Sequence, residues 1–253
     1  MLDLSVIIPA YNEERNLPGT VRGLFLYLGK QLYKSEILII ENGSQDRTRQ
    51  IAESLVMSSG PKVEIRAISL ETNGKGKAIR AGMIEARGRF RMIFDADSSC
   101  APQVIGQLWE SMHPWVDVVI ASRQASGARR INEPLSRHIS GRVFNLLVRA
   151  LLLPGVQDSQ CGYKLFTDTA AAEIFSRQII DGWAFDVEAL VIANRLGYQI
   201  IEKGVEWYHY PTPRVRLVRD AYRMTRDILQ IKSNRINGLY DKNKGRAIAP
   251  LSD

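Results

Sequence analysis

Two carboxylates stand one residue apart at the end of an apolar run: Met92-Ile93-Phe94, then Asp95-Ala96-Asp97. Such a run reads as a buried strand. In open α/β sheets, ligands bind beyond the carboxyl ends of the strands. Side chains at i and i+2 of a strand share a face, so Asp95 and Asp97 can converge across the small Ala96. Paired hard oxygens suit a divalent cation that also holds substrate phosphates. Taken alone, the same spacing also describes a solvated turn. Two more apolar runs end in polar clusters. Residues 4–8 lead into Pro9-Ala10-Tyr11-Asn12-Glu13, and residues 36–40 into Glu41-Asn42-Gly43-Ser44. Their carboxylates and amides can bond base or ribose edges, while Asn12 and Ser44 can cap the helices that follow. Gly74-Lys75-Gly76-Lys77 adds two ammonium groups and a backbone open to close approach, which suits phosphate; an exposed basic loop has the same composition.

The elements that must position these groups alternate. Strands are expected near residues 4–9, 36–40, 63–69, 90–94 and 116–121. Helices are expected between them: after Asn12, from Ser44 to about Met57, from Ala78 towards Ala86, and from Pro102 to His113. That alternation predicts an α/β fold with a mostly parallel central sheet flanked by helices. Beyond Arg123 the pattern changes. Residues 124–136 are polar and read as a mobile loop. Ile139, Val143, Leu146, Leu147, Ala150 and Leu151 mark one face of a helix at spacings of three and four. A short strand at 161–166, a helix at 186–195 and an extended segment at 199–209 follow. Residues 214–232 form a helix with Arg216, Arg219, Arg223 and Arg226 on one stripe. A single domain is expected over 1–232, with 233–253 a partly disordered tail.

No apolar run approaches the roughly 20 residues that a bilayer span needs, and the start does not read as a signal peptide. The chain is therefore expected to stay in the cytosol, with Cys100 and Cys161 as reduced thiols. The formal charge of +7 favours anionic partners such as nucleotide phosphates or acidic lipids. A basic nucleic-acid-binding protein is the non-enzyme alternative. Against it, no aromatic-rich RNA motif or recognition-helix pattern is present.

Read together, these segments resemble a known family. Val6-Ile7-Ile8-Pro9-Ala10-Tyr11-Asn12-Glu13-Glu14, Glu41-Asn42-Gly43-Ser44 with Asp46 and Thr48, and Asp95-Ala96-Asp97 look like a family 2 glycosyltransferase with the GT-A fold. The run from Asp158 to Phe166, Gly182-Trp183-Ala184-Phe185-Asp186-Val187-Glu188, and Val205-Glu206-Trp207 with His209 resemble the polyprenyl-phosphate sugar synthases. Among these, the Gly182–Glu188 run is most similar to dolichyl-phosphate glucosyltransferases, and dolichyl-phosphate mannose synthases are close behind. The similarity spans about residues 4–232. Two positions depart from the usual pattern: Glu41-Asn42 replaces a pair of aspartates, and Ala121 replaces a frequent glycine. Many relatives carry membrane helices at one end, and none is legible here.

The resemblance implies roles. Pro9, Ala10, Tyr11 and Glu13 would line the nucleoside pocket. Asp95 and Asp97 would hold Mg²⁺ or Mn²⁺ against the donor diphosphate, with Asp97 the more direct ligand. Arg123 and Arg137 would receive the acceptor phosphate, because guanidinium forks match its geometry. Asp158, Gln160, Asp186 and Glu188 would surround the donor sugar. The implied reaction is inverting transfer of a hexose, by first choice glucose from UDP-glucose, to a polyprenyl phosphate. GDP-mannose is the alternative donor. A hydroxyl acceptor is the alternative acceptor, and it would make Asp186 a base. A lipid acceptor implies a peripheral enzyme on the cytosolic membrane face. The Arg216–Arg226 stripe and the 124–136 loop are the candidate contacts with anionic headgroups; the alternative is that the C-terminal helix packs on the domain with its arginines solvated.

Overall fold

The computed structural model describes residues 2–210 and 217–242, with backbone alone at 136, 137, 140 and 217–222. The chain opens with β1 (Leu4–Ala10), α1 (Leu17–Leu28), β2 (Ser35–Asn42), α2 (Thr48–Val56), β3 (Val63–Leu70), α3 (Lys75–Glu85) and β4 (Phe90–Ile93). It continues through α4 (Val104–Trp109), β5 (Val118–Ser122), β6 (Arg129–Ile131), α5 (Leu135–Leu151) and β7 (Lys164–Thr167). It ends with α6 (Asp168–Phe175), α7 (Phe185–Leu196), β8 (Ile200–Gly204), β9 (Glu206–Tyr208) and α8 (Leu217–Ile236).

Seven strands form one sheet in the order β3-β2-β1-β4-β7-β5-β8. Only β7 runs antiparallel to its neighbours. β1 and β2 are apolar along most of their length because helices cover both faces, as central parallel strands require. Alternate residues divide between two core layers. Ile7, Leu38 and Ile40 face α3, α6 and α7; Val6, Ile8, Ile37 and Ile39 face α1 and α4. In register, Ala10 lies beside Glu41 and Ile7 beside Ile93. The segments after β1, β2 and β4 therefore leave the sheet at one edge.

Several local expectations change. α3 starts at Lys75 and not at Ala78, so the Gly-Lys-Gly-Lys run is a helical turn. Gly76 allows this: its N–H donates to Asp181 O at 2.9 Å, and a Cβ there would lie 2.3 Å from Ile180 O. Asn12 and Ser44 do not cap helices. They tie two loops together, Asn12 N donating to Ser44 Oγ at 3.1 Å and Gln45 N to Asn12 Oδ1 at 2.8 Å. The 124–136 segment is not a free loop. β6 within it pairs with β9, and Arg130 bonds Arg123 O and Glu133. Part of the segment expected as tail is packed, with α8 running to Ile236. Ile228, Ile231 and Tyr240 enter the core, which orders the chain to 242; residues 243–253 lie outside the described residues. So do Arg216 and the side chain of Arg219 from the basic stripe, while Arg223 and Arg226 are exposed.

α5 forms as a helix where the apolar spacing predicts one. The predicted apolar face is largely turned to solvent, with Ile139 54%, Val143 63% and Leu146 65% exposed. The side that packs inward instead carries Asn145 and Val148.

Candidate active site

Asp95 and Asp97 follow β4 directly, as the strand-end pattern predicts. Asp95 Oδ1 pairs with Lys75 Nζ at 2.7 Å. Its other oxygen presses on Gly162, where a Cβ would lie 1.9 Å away. Only glycine fits that position. Asp97 Oδ1 accepts from Ser99 N at 3.1 Å and Ser99 Oγ at 2.9 Å. Burial, and then the charge of Asp95, push the Asp97 carboxyl above the usual range, while Ser99 and Lys75 oppose the shift. Ala96 is buried, and its carbonyl accepts from Thr20 Oγ1 at 2.7 Å, which pins the turn. The acid pair is thus held in place, Asp95 by Lys75 and Asp97 by Ser99, and is not a solvated turn.

Lys75 stands in the first turn of α3. Its ammonium lies 5.3 Å from the Trp183 ring centroid and 6.0 Å from that of Phe185. Asp186 is buried, and its Oδ1 takes a charge-assisted bond from Lys164 Nζ at 2.5 Å. Lys164 is fully buried and also donates to Cys161 O at 2.6 Å. Burial raises the Asp186 carboxyl, and Lys164 and Lys75 pull against it. The charges of Asp95, Asp186 and Asp97 all act on Lys75, so these groups form one cluster.

At the first two strand ends, Pro9 and Tyr11 are half-buried, and Ala10, Glu13, Glu41 and Asn42 are buried. Glu41 Oε1 accepts from Ser44 N at 2.6 Å, and Glu13 N donates to Thr48 Oγ1 at 2.7 Å. Asn42 Oδ1 is buried without a hydrogen-bond partner. A buried acceptor left open is costly, and a ligand donor would satisfy it.

Other predicted site residues are placed differently. Lys77 is engaged by Thr72 Oγ1 and not by the acid cluster. Asp158 points into the protein interior. It is fully buried, and Arg123 grips it through Nε and Nη2, both at 2.8 Å, and through its backbone N–H at 2.8 Å. Gln160 N adds a bond at 3.3 Å. Burial would raise the Asp158 carboxyl, but the guanidinium outweighs it and holds it at about 2. Arg123 is correspondingly not an open phosphate fork, since Nε and Nη2 are spent on Asp158. Its guanidinium lies 5.3 Å from the Trp207 centroid. Glu188 is also withdrawn from any cleft. Its Oε2 accepts from Ile179 N and Ile180 N, and its Oε1 from Tyr240 Oη at 2.7 Å. Burial pushes it up to about 7. It braces the 179–181 turn, on which the start of α3 rests. Arg137 belongs to α5, and its side chain lies outside the described residues. Cys100 and Cys161 are buried free thiols, as expected.

Four positions that shape the acid cluster and its surroundings were given no role from the sequence: Lys164, Trp183, Gly162 and Tyr240. Lys164 carried a signal, a lysine opening the apolar run Leu165-Phe166. The others depend on contacts far along the chain.

With this geometry established, comparison with known proteins is direct. The model of glycosyl transferase family 2 matches residues 5–180. The dolichyl-phosphate beta-glucosyltransferase of Homo sapiens is 32% identical over 251 residues, covering 94% of this chain and 77% of its own length. That of Dictyostelium discoideum is 31% identical over 249 residues, with coverage of 94% and 76%. Among solved structures, mannosyl-3-phosphoglycerate synthase from Rubrobacter xylanophilus superimposes with a TM-score of 0.68 at 18% identity, covering all of this chain and 77% of that one. Glucosyl-3-phosphoglycerate synthase from Mycobacterium tuberculosis, in complex with Mn²⁺ and UDP-glucose, gives 0.65 at 17% identity, covering 93% and 79%. The sheet order, the acid pair at the strand edge and the family match agree: the chain is a glycosyltransferase with the GT-A fold and belongs to glycosyl transferase family 2.

Proposed function

We propose that this enzyme transfers glucose from UDP-glucose to a polyprenyl phosphate, with inversion at the anomeric carbon. The observation that carries the reading is the Asp95–Asp97 pair at the strand edge, with Lys75 on Asp95 and Ser99 on Asp97, in a chain whose relatives are dolichyl-phosphate beta-glucosyltransferases. The pair fits a hard divalent cation, Mg²⁺ or Mn²⁺: two close carboxylates repel each other, and one of them has an oxygen beyond its bonds to Ser99. Such an ion, when bound, neutralises the charge of the leaving diphosphate.

The protein's own groups do the rest. The strand-end segments 9–13 and 41–44 hold the nucleoside, with Asn42 Oδ1 as the acceptor left open for it. Trp183, half-exposed beside Lys75, gives the sugar an apolar floor. Arg123 Nη1, left over from the Asp158 pairing, and Arg137 receive the acceptor phosphate. Asp186 is held by Lys164, which speaks against a general base and for an acceptor that is already ionised. Positioning and fixed charge then supply most of the rate.

The test is a transfer assay with UDP-glucose and GDP-mannose, each against a short polyprenyl phosphate and a sugar hydroxyl. Transfer of glucose to the lipid phosphate is expected. Transfer from GDP-mannose alone, or to the hydroxyl alone, would replace this reading with the corresponding alternative.

A lipid acceptor calls for a membrane surface, and α5 is better suited to it than the C-terminal helix. At 100° per residue, Leu135, Ile139, Val143, Leu146, Leu147 and Ala150 fall in a sector of about 120°. All are exposed, and Arg142 and Arg149 lie along one edge of the sector. No acid occurs in the helix. An apolar stripe bordered by arginines is the pattern of a helix lying in a bilayer interface. No helix of the described residues is long and apolar enough to cross a membrane. The wild-type protein is expected to float with vesicles containing phosphatidylserine. The double variant Ile139→Asp/Leu146→Asp is expected to stay at the bottom of the gradient while still glucosylating a short soluble acceptor. Equal flotation of both would show that α5 is not the contact.

A further inference from the structure

Three carboxylates and two ammonium groups share the strand edge, and the two ammonium groups differ. Lys164 is sealed in, with donors committed to Asp186 and Cys161 O. Lys75 is 20% exposed and reaches a single carboxylate oxygen, Asp95 Oδ1 at 2.7 Å. The remainder of its setting is the faces of Trp183 and Phe185. It also sits in the first turn of a helix, where the backbone dipole disfavours a cation. The carboxylates and rings hold it there. Its backbone has no slack: Gly76 N donates to Asp181 O, and Arg80 pairs with Asp181 Oδ1 at 2.9 Å. A change of partner by Lys75 is therefore a movement of its side chain and not of the helix start.

Among the described residues, no group of three or more histidine, cysteine or acidic side chains could hold a metal ion. Asp95 and Asp97 supply two ligands. A hard dication bound by one or two carboxylates draws its other oxygens from substrate phosphates and water. Lys75 already neutralises one of the two.

We propose that Lys75 is the resting counter-ion of the Asp95–Asp97 pair, which excludes a free divalent cation until a nucleoside diphosphate arrives to take over the ammonium. Lys75 then moves from Asp95 to the diphosphate, and the cation takes its place. Metal and diphosphate bind as a couple, each raising the affinity of the other by the same factor. This inference rests on the nucleotide-sugar reading above.

The experiment titrates Mn²⁺, followed by electron paramagnetic resonance of the free ion, with and without UDP. Unaltered protein is expected to bind Mn²⁺ weakly alone and strongly with UDP. Lys75→Met keeps the stem on Trp183 and removes the charge. It is expected to bind Mn²⁺ without UDP about tenfold more tightly, because one close positive charge is gone, and to show a smaller gain on adding UDP. Lys75→Gln provides the same reading if the methionine form does not fold. Lys75→Arg keeps the charge and is expected to behave as the unaltered protein. Unchanged or weaker Mn²⁺ binding by the neutral variants overturns the inference and leaves the nucleotide-sugar reading standing. If the unaltered protein binds no Mn²⁺ even with UDP, both fail together.

Discussion

Asp97→Ala is expected to lower glucose transfer by about 100- to 1,000-fold at saturating donor, the scale seen when one preorganised electrostatic contact to a developing charge is removed. The loss is expected in kcat, because the charge that needs compensation develops as the diphosphate departs. The mechanism predicts more than inactivity. Asp97 makes no direct ion pair that an amide would break: its Oδ1 accepts twice from Ser99, and the repulsion from Asp95 exceeds the attraction of Lys75, whose bond is to Asp95. Asp97→Asn keeps an oxygen acceptor for Ser99 and loses the repulsion. Its melting temperature is therefore expected to match or exceed that of the unaltered protein, while stabilisation by Mn²⁺ with UDP disappears. A variant that transfers glucose normally would remove Asp97 from the reaction. One that melts far lower would make it a structural residue.

The second large effect concerns stability. Asp158→Ala is expected to cost about 3–5 kcal/mol, since it leaves the largely buried Arg123 guanidinium uncompensated. The backbone donors of Arg123 and Gln160 lose their acceptor at the same time. For a chain of this size that corresponds to a fall of about 10 °C in Tm. The pH dependence has a definite sign. The folded Asp158 carboxyl is held at about 2, below the ordinary aspartate value of 3.8. Its contribution is therefore fully present above pH 3.8 and is lost as pH falls through about 2. Asp158→Asn removes the part of the acid-unfolding slope that falls within that window. Denaturant melts at pH 7 and across the acid range check both points. A change in Tm of less than a degree would mean that the pair is strongly solvated.

Asp158 also marks where sequence reading reached its limit. The buried strands were legible because burial on both faces leaves a nearly unbroken apolar run, as in Val6-Ile7-Ile8 and Ile37-Leu38-Ile39-Ile40. The acid pair was legible because Asp95 and Asp97 lie within four residues of the end of β4, so one local pattern carried both the strand and the carboxylates beyond it. The turn of α3 at Lys75 was not, since two glycines weaken any helical reading; Gly76 is there because Ile180 O occupies the place of its side chain.

By itself, then, the amino-acid order determined the alternating α/β scaffold, the edge at which the polar segments gather and the family to which they belong. Those properties are written in short periods and in strand ends. Only the tertiary structure decided which charges meet. Asp158 goes to Arg123, 35 residues away, and Glu188 to Tyr240, 52 residues away. Asp186 goes to Lys164, and α5 turns its leucines outward. Each outcome depends on what the sheet crossovers bring alongside, and two carboxylates of identical chemistry become a ligand or a brace according to the donors that pack against them.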